Sequence, residues 1–592
     1  MSNNRLLGPD GLPLTPRASR PTRRHKHIAA DAPLPVPSRA PRHKGAAVPA
    51  ALPIPAHPVQ SPPNRARMLG SGDGAPYDAA SVFSEHTAAW RPYLWSPDGE
   101  LNMYRDRIVA RVRDLVRNDG WASGAVTRIC DNVIGGAFRP KAKPDYRALA
   151  LHSGNSRFDA AWADEFARAL EARYRTWADD PGRWCDGARS LTLTQLMGVG
   201  FRHKLVDGDA LAVMLWLDDR VGLGRARYAT AVQLIDPDRL SNPQLRFDSM
   251  AMRGGVVVDE LGAATGYYIR EAHQGDWWSA AQSLTWDYIP RETAWGRPIV
   301  VHDYDHYRAG QHRGGAGVLA PVVTRLKMLA KYDSTELDAA IINAIFGAYV
   351  ESPFDPEMVQ DALGGNERMS RYQQAQAEFH GGRHVMIGDV VVPIMAPGEK
   401  INAVAAERPS GNFAAFESAV LRNVATATGM SSPQISGNWS DTNYSSARAA
   451  LLEAWKTLAR RRTDYAVGFA TPIWVCFVEE AMEIDDLPLP AGDVPDFIEC
   501  RGAYSRCRWI GPGRGWIDPV AEKQGAVLGM DAGLSTLEQE CAENAGADWE
   551  ETLDQRAIEI AGYRSRGLAV PSWAGMQSAN DVSRKPADPE VQ

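Results

Sequence analysis

The chain has 592 residues, 44% of them hydrophobic and 23% charged, and a formal net charge of −7. That length exceeds the roughly 250–300 residues at which one hydrophobic core stops growing, and the composition excludes fibrous, collagenous and wholly disordered classes, so a soluble globular protein of two or more packing units is expected. An acidic balance argues against a tight reader of duplex DNA, which needs Lys and Arg to neutralise phosphates, and no apolar run reaches the ~18–20 residues that cross a bilayer: Leu337 to Val350 is too short and Tyr465 to Val478 is broken by Pro472.

Residues 1–76 alternate Pro, Ala and basic residues, as in Ala32-Pro33-Leu34-Pro35-Val36-Pro37. This composition favours extended chain and offers little to bury, which predicts a disordered arm. Residues 1–70 hold eleven Lys and Arg against Asp10 and Asp31, a local charge of +9, so the remainder carries −16. A basic tail for nucleic acid is one reading of the arm; a solvated leader is the plainer one. The start, Met1-Ser2-Asn3-Asn4-Arg5, lacks the apolar stretch of a secretory signal. The six cysteines lie far apart without zinc-ribbon spacing and read as reduced thiols of a protein made in a cytoplasm.

From Leu101 the apolar positions Tyr104, Ile108, Val112 and Leu115 recur at helical spacing. Arg105, Arg107, Arg111, Arg113 and Arg117 line the other faces, and Asn118-Asp119-Gly120 ends the run before a second helix over Trp121–Val133. Such a pair can be a DNA-reading motif, but helical hairpins share the outline. Between about 190 and 310 the pattern turns to short strands: Ala210–Leu217, Gly255–Glu260, Gly266–Glu271 and Pro298–Val301. Leu261–Thr265 is a predicted hairpin turn, and Gln233–Leu240 a strand entering a turn. Trp277-Trp278 are candidate stacking platforms for single strands, although large aromatics more often pack in cores or interfaces.

The run His302-Asp303-Tyr304-Asp305-His306, with His312 nearby, offers imidazole and carboxylate at short spacing. It is the candidate for a metal-dependent nuclease or phosphoesterase, against the reading of polar residues at a strand edge. Walker A, dinucleotide-binding, H-E-x-x-H and G-x-S-x-G patterns are all missing, so ATP hydrolysis would have to come from a partner.

Helix returns after Arg313–Gly317, with Val318, Val322, Leu326, Leu329, Leu337, Ile341 and Ile345 on one apolar side. A polar helix is expected over Pro356–His380, a short β segment over Val385–Met395, and a helix over Asn412–Thr428 with Phe413, Phe416, Val420 and Val424 on one side. Gly429–Thr442 mixes Gly, Pro and capping residues and reads as a loop, with Asp441 or Thr442 capping the long helix that follows. That helix carries the stripe Ala447, Leu451, Trp455, Leu458 and the basic triplet Arg460-Arg461-Arg462, read as contacting DNA or acids of a neighbouring subunit.

Several strings share one family likeness: Asp441-Thr442-Asn443-Tyr444-Ser445-Ser446 with Arg448, Leu451-Leu452-Glu453 and Trp455; Arg113-Asp114-Leu115-Val116-Arg117-Asn118-Asp119-Gly120-Trp121 followed by Asp131-Asn132-Val133-Ile134-Gly135-Gly136; Gly255–Ile269; Trp516-Ile517-Asp518-Pro519; and Gly533–Thr536. In order over roughly residues 77–570, they resemble the portal proteins of lambda-type tailed bacteriophages.

The resemblance implies an α+β portal fold. Its parts would be a mixed wing (77–316), a helical region leading into the stem (317–380), a small β-containing clip (381–411), a second stem helix (412–428), a tunnel loop (429–442), a long helix (443–490), C-terminal wing and crown helices (491–572) and a polar tail (573–592). It implies a homo-oligomeric ring, a dodecamer, at one capsid vertex of the virion, assembled in the host cytoplasm. Double-stranded DNA would pass through it non-specifically, with terminase, head-completion proteins and major capsid protein as partners, no membrane, and neither cofactor, metal nor catalytic residue. Ser436, Asn438, Trp439, Ser440, Asp441 and Asn443 would line the channel; Val385, Met386, Ile387, Asp389 and Val391 would form the clip that docks terminase.

Overall fold

The computed structural model describes residues 86–345, 384–387, 390–393, 413–440, 442–484 and 487–570, with Ala79 and Glu378. The arm over 1–76, the helix expected over Pro356–His380 apart from Glu378, and the polar tail lie outside them. The chain divides into two units, Met1–Tyr93 and Leu94–Gln592. In the first, a turn brings Trp90 N–H to Thr87 O at 3.0 Å.

The second unit mixes helix and sheet. It opens with α1 (Pro97–Leu101), α2 (Arg105–Asn118) and α3 (Gly120–Val133). The expected break falls in place, and Asp119 caps α3 by accepting from Ala122 N–H at 2.8 Å. The buried stripe of α2 is Arg105, Val109, Val112, Leu115 and Val116, so Tyr104 faces solvent and Arg105, expected on a polar face, is inside.

β1 (Arg139–Ala142), α4 (Tyr146–Ser153), α5 (Ala160–Ala178) and α6 (Leu193–Asp207) follow. A capping box between Thr192 and Gln195 starts α6. β2 (Asp209–Trp216), β3 (Thr230–Ile235), β4 (Met252–Arg253), β5 (Val256–Val258), β6 (Ala264–Arg270), β7 (Trp286–Pro290) and β8 (Val300–Tyr304) match the strand-rich stretch read from the sequence. They form two antiparallel sheets, ordered β3-β2-β8 and β4-β5-β6-β7. β2 divides two cores by simple alternation: Ala210, Ala212 and Met214 face the helices, while Leu211 and Val213 join Ile235, Val256, Tyr267, Ile269 and Val300 between the sheets.

Next come α7 (Val323–Ile345), the antiparallel pair β9 (His384–Ile387) and β10 (Val390–Pro393), α8 (Phe413–Thr428), α9 (Ser432–Ser436) and α10 (Tyr444–Tyr465). α10 runs through a single wide π-turn, Ala466–Ala470, into α11 (Thr471–Ile484). Pro472 therefore does not break this segment as expected. A wide turn just before it lets the chain pass a residue that has no N–H and would crowd the carbonyl of the preceding turn. This long helix is the centre of the main core: Tyr465 stacks on Phe469 at 5.1 Å, and Phe477 on Trp177 at 5.0 Å. Tyr465 Oη donates to Met197 O at 2.8 Å. No helix among the described residues is long and apolar enough to cross a membrane.

After α11 the chain reaches β11 (Cys507–Ile510), α12 (Pro519–Asp531) and α13 (Trp549–Ser565). β11 pairs antiparallel with β1, Arg139 opposite Ile510, and Phe138 stacks on Trp509 at 4.8 Å. α12 begins at the Asp518-Pro519 step singled out in the sequence, with Asp518 as its cap. Neither α12 nor α13 contains a buried residue. The six cysteines are free thiols.

Candidate functional site

The stretch from Gly429 to Asn443 is a packed base carrying an exposed tip. Met430 and Ile435 are buried. Ser431 and Gln434 bond reciprocally to start α9, which overturns the expectation of loop throughout: the Ser-x-x-Gln spacing at Ser431 is a capping box, and Pro433 suits the first turn of a helix. Ser436 is the last residue of that helix, its hydroxyl donating to Ser432 O at 3.0 Å. The backbone leaves α9 through Gly437 at φ +70°, a left-handed position that favours glycine.

Beyond it Asn438, Trp439 and Ser440 are exposed, Trp439 at 40%. Asn438 Oδ1 accepts from Ser440 N–H at 3.0 Å and from its hydroxyl at 2.6 Å, a compact Asx turn. Asp441 lies outside the described residues. The cap of α10 is neither Asp441 nor Thr442: Asn443, extended at φ −77° and ψ 162°, accepts from Ser446 N–H at 2.8 Å. Its amide oxygen sits one residue closer to the orphan N–H groups of the first turn.

The second candidate is a β hairpin. Val385, Met386 and Ile387 lie in β9 and Val391 in β10, with Met386 opposite Val391 and Val385 opposite Val392. Asp389 lies outside the described residues. The loop and hairpin candidates thus occupy separate elements.

The basic triplet splits. Arg462 donates to Asn132 O at 2.7 Å, Val133 O at 3.1 Å and Pro512 O at 2.8 Å, and lies over Trp455 at 5.0 Å. It thereby caps the carbonyl end of α3. Arg460 pairs with Asp464 at 3.1 Å one turn on. Two of the three are thus engaged within the chain, Arg462 with main-chain carbonyls and Arg460 in an exposed pair. Trp277 and Trp278 are 83% and 68% exposed, edge to face at 5.8 Å, and so lie outside any core of this chain.

The His302–His306 run does not converge. β8 alternates, placing His302 on one side, 3.1 Å from Asp209, and Asp303 on the other, 2.8 Å from Lys204. His302, Tyr304 and His306 lie along one edge of a cavity of about 380 Å³ that His312 also lines, but Asp303 turns away from it, and Asp209, the carboxylate beside His302, is already taken by Arg313. Among the described residues this run makes no three-donor grouping, and the nuclease reading has no support. Among the described residues the three-donor grouping is Asp236, Asp238 and His273, and Arg113 already bridges both carboxylates at 3.1 and 2.7 Å.

Sequence reading missed the polar junction these residues belong to. Asp209, wholly buried, accepts from Arg313 at 2.8 and 3.0 Å and from Gly314 N–H at 2.5 Å, with Arg105 at 3.2 Å. Burial alone would raise its pKa, but Arg313, His302 and Arg105 hold it well below the usual carboxylate range. Arg313 also donates to Pro237, Leu240 and Gly254 carbonyls, clamping the four-stranded sheet to the body. Backbones touch here, since a Cβ on Gly208 or Gly314 would strike the other segment's main chain. The Arg313–Gly317 run was legible only as a helix boundary; its glycines were the available signal of close approach.

The model of the family described as phage portal protein, lambda family, matches residues 83–462. The portal protein of Escherichia phage N15 is 32% identical over 498 residues, 83% of this chain and 91% of that protein. Portal protein B of Escherichia phage lambda is 32% identical over 504 residues, 84% of this chain and 91% of its own. A chain from the neck of an empty gene transfer agent particle aligns over 78% of this chain and 98% of its own at 12% identity, with a TM-score of 0.37, too distant to bear on the fold.

Proposed function

The chain belongs to the lambda family of phage portal proteins, the portal protein of a tailed phage, and from that premise we propose that its copies close into a twelve-membered ring around a DNA channel. Heterologous contacts give a ring when the rotation closes. The role is structural, at one capsid vertex of the virion, with ATP hydrolysis supplied by a terminase.

The observation that carries this reading is the loop on its packed base. An exposed Asn438-Trp439-Ser440 tip, set on buried Met430 and Ile435 and feeding the long helix at the centre of the core, is built to project a bulky side chain from a firm mount. In a ring, Asn438, Trp439, Ser440, Asp441 and Asn443 would face the channel with Ser436 at its edge, and Trp439 would act as a soft stop on sliding duplex. We assign the hairpin with Val385, Met386, Ile387, Asp389 and Val391 to docking of terminase and later of head-completion proteins. Residues 77–316 and 491–572 would form the wing and crown that meet the capsid shell and DNA, with 317–380 and 412–428 as stem and 381–411 as clip.

Native mass and electron-microscope images of the purified protein test the assembly. Closed rings of twelve with a central hole are expected, whereas a stable monomer or dimer under packaging conditions would refute it. Trp439→Ala should leave rings intact and change packaged DNA length or retention; if both stay as in the parent, the loop has no part in the mechanism.

A further inference from the structure

The helices on both sides of the exposed loop reach α3. At the far end of α10, Arg462 bonds the last carbonyls of α3, Asn132 at 2.7 Å and Val133 at 3.1 Å. On the entry side, Arg128 of α3 donates through Nη1 to Ile435 O at 2.8 Å. Ile435 O belongs to the final turn of α9, where helix carbonyls run out of partners and a cation is favoured. Pro433 O and Ser432 O are already served by Gly437 N–H at 2.8 Å and the Ser436 hydroxyl at 3.0 Å, and the guanidinium meets a carbonyl beyond them, next to the last residue of the helix. A Cβ on Gly437 would lie 4.0 Å from Arg128 Nη2, which places the arginine alongside the point where the chain leaves the helix.

The hydrogen bonds within residues 438–440 are local. Among the described residues, the bond that fastens residues 431–440 to a distant part of the chain is the one from Arg128. We propose that Arg128 is a positioning residue, fixing the direction in which Asn438 and Trp439 leave α9; its importance to DNA rests on the channel-facing reading of that loop. Apolar burial of Ile435 holds the base down without selecting an angle, whereas a bond to one carbonyl oxygen selects one.

The test uses the full chain in its assembled state, with a nitroxide attached at Asn438→Cys and background from the native thiols subtracted with the unsubstituted parent. Arg128→Met keeps the length of the side chain and removes the donor; a roughly tenfold rise in the mobile fraction of the label is expected, the scale of losing one charge-assisted hydrogen bond. Arg128→Lys retains a donor and should restore most of the order. An unchanged spectrum in Arg128→Met overturns the assignment, as does equal loosening by Met and Lys, which would trace the effect to packing. DNA retention is read separately in particles carrying Arg128→Met. If the label loosens while retention is unchanged, Arg128 positions the loop and it is the channel-facing reading that fails.

Discussion

At the scale of single residues, the chain's most informative side chains are those whose chemistry is fully engaged inside. His302 is the clearest: with its side chain 2% exposed, burial lowers its pKa against the pull of Asp209, so the folded state favours the neutral ring donating to that carboxylate. A base with a lowered pKa binds fewer protons folded than unfolded. Its stabilising contribution is therefore complete above the ordinary imidazole value, about 6.5, and declines as pH falls from there toward the folded pKa. Asp209 behaves alike lower down, its contribution present above the unfolded carboxylate value and lost as pH falls through its depressed one. Asp303 runs the other way: burial outweighs Lys204 and raises it to about 6, so its contribution is largest in acid and is lost as pH rises from the unfolded value to about 6. His302→Gln keeps a donor to Asp209 without a titrating ring, and urea midpoints from pH 7 to 5 should fall less steeply than in the parent. Parallel curves would contradict this account. None of it was legible in the sequence, where Arg105 and Arg113 look the same as Arg107 and Arg111: a long basic side chain carries no local mark of whether it is solvated or meets a carboxylate from more than ninety residues away, as Arg113 meets Asp207.

At the scale of elements, breaks and turns made several helices and strands readable, as at Asn118-Asp119-Gly120 and the Leu261–Thr265 hairpin. α9 was missed because Gly, Ser and Pro suit both a loop and a capped turn, and only the burial of Ile435 decides between them. The attachment of the C-terminal helices was equally hidden, because it is ionic. α13, which has no buried residue, is fastened at its start through Lys141, which is 3.4 Å from Glu171, 3.0 Å from Asp548 and 2.5 Å from Glu550. Glu551 adds bridges to Arg139 and Arg175, each at 2.9 Å. Removing the shared cation leaves carboxylates crowded and partly buried, at a cost of about 3–5 kcal/mol. Lys141→Met should therefore raise hydrogen exchange in α13 well before the core opens, and Lys141→Arg should do so much less; protection in α13 equal to the parent's would show that other contacts hold it. The exposed bridges should also make α13 looser in 1 M salt than in 0.1 M, since the screening length shrinks from about 10 Å to about 3 Å.

At the scale of the whole molecule, what the single chain leaves uncovered bears on assembly. α7 buries Leu326 and Leu329 at its start but leaves Leu337 62% and Ile341 43% exposed further along. The apolar side read from the sequence is thus one stripe of which, among the described residues, the first half is covered. Leu337→Glu should leave the subunit folded by circular dichroism and reduce the yield of rings in native mass measurements; undiminished rings would show that this side does not face a neighbouring subunit. The pairing of β1 with β11 has a different consequence, one of timing. Residues 139–142 emerge early in synthesis and their partners, 507–510, near the end, a gap that a ribosome moving at about 5–20 residues per second crosses in tens of seconds. Through that interval β1 is without its partner strand, and Phe138 waits for the Trp509 ring that covers it. A nascent chain therefore cannot finish its main body from the N-terminal side alone, and any truncation before residue 507 should leave a strand without its mate for a chaperone to hold or a protease to find.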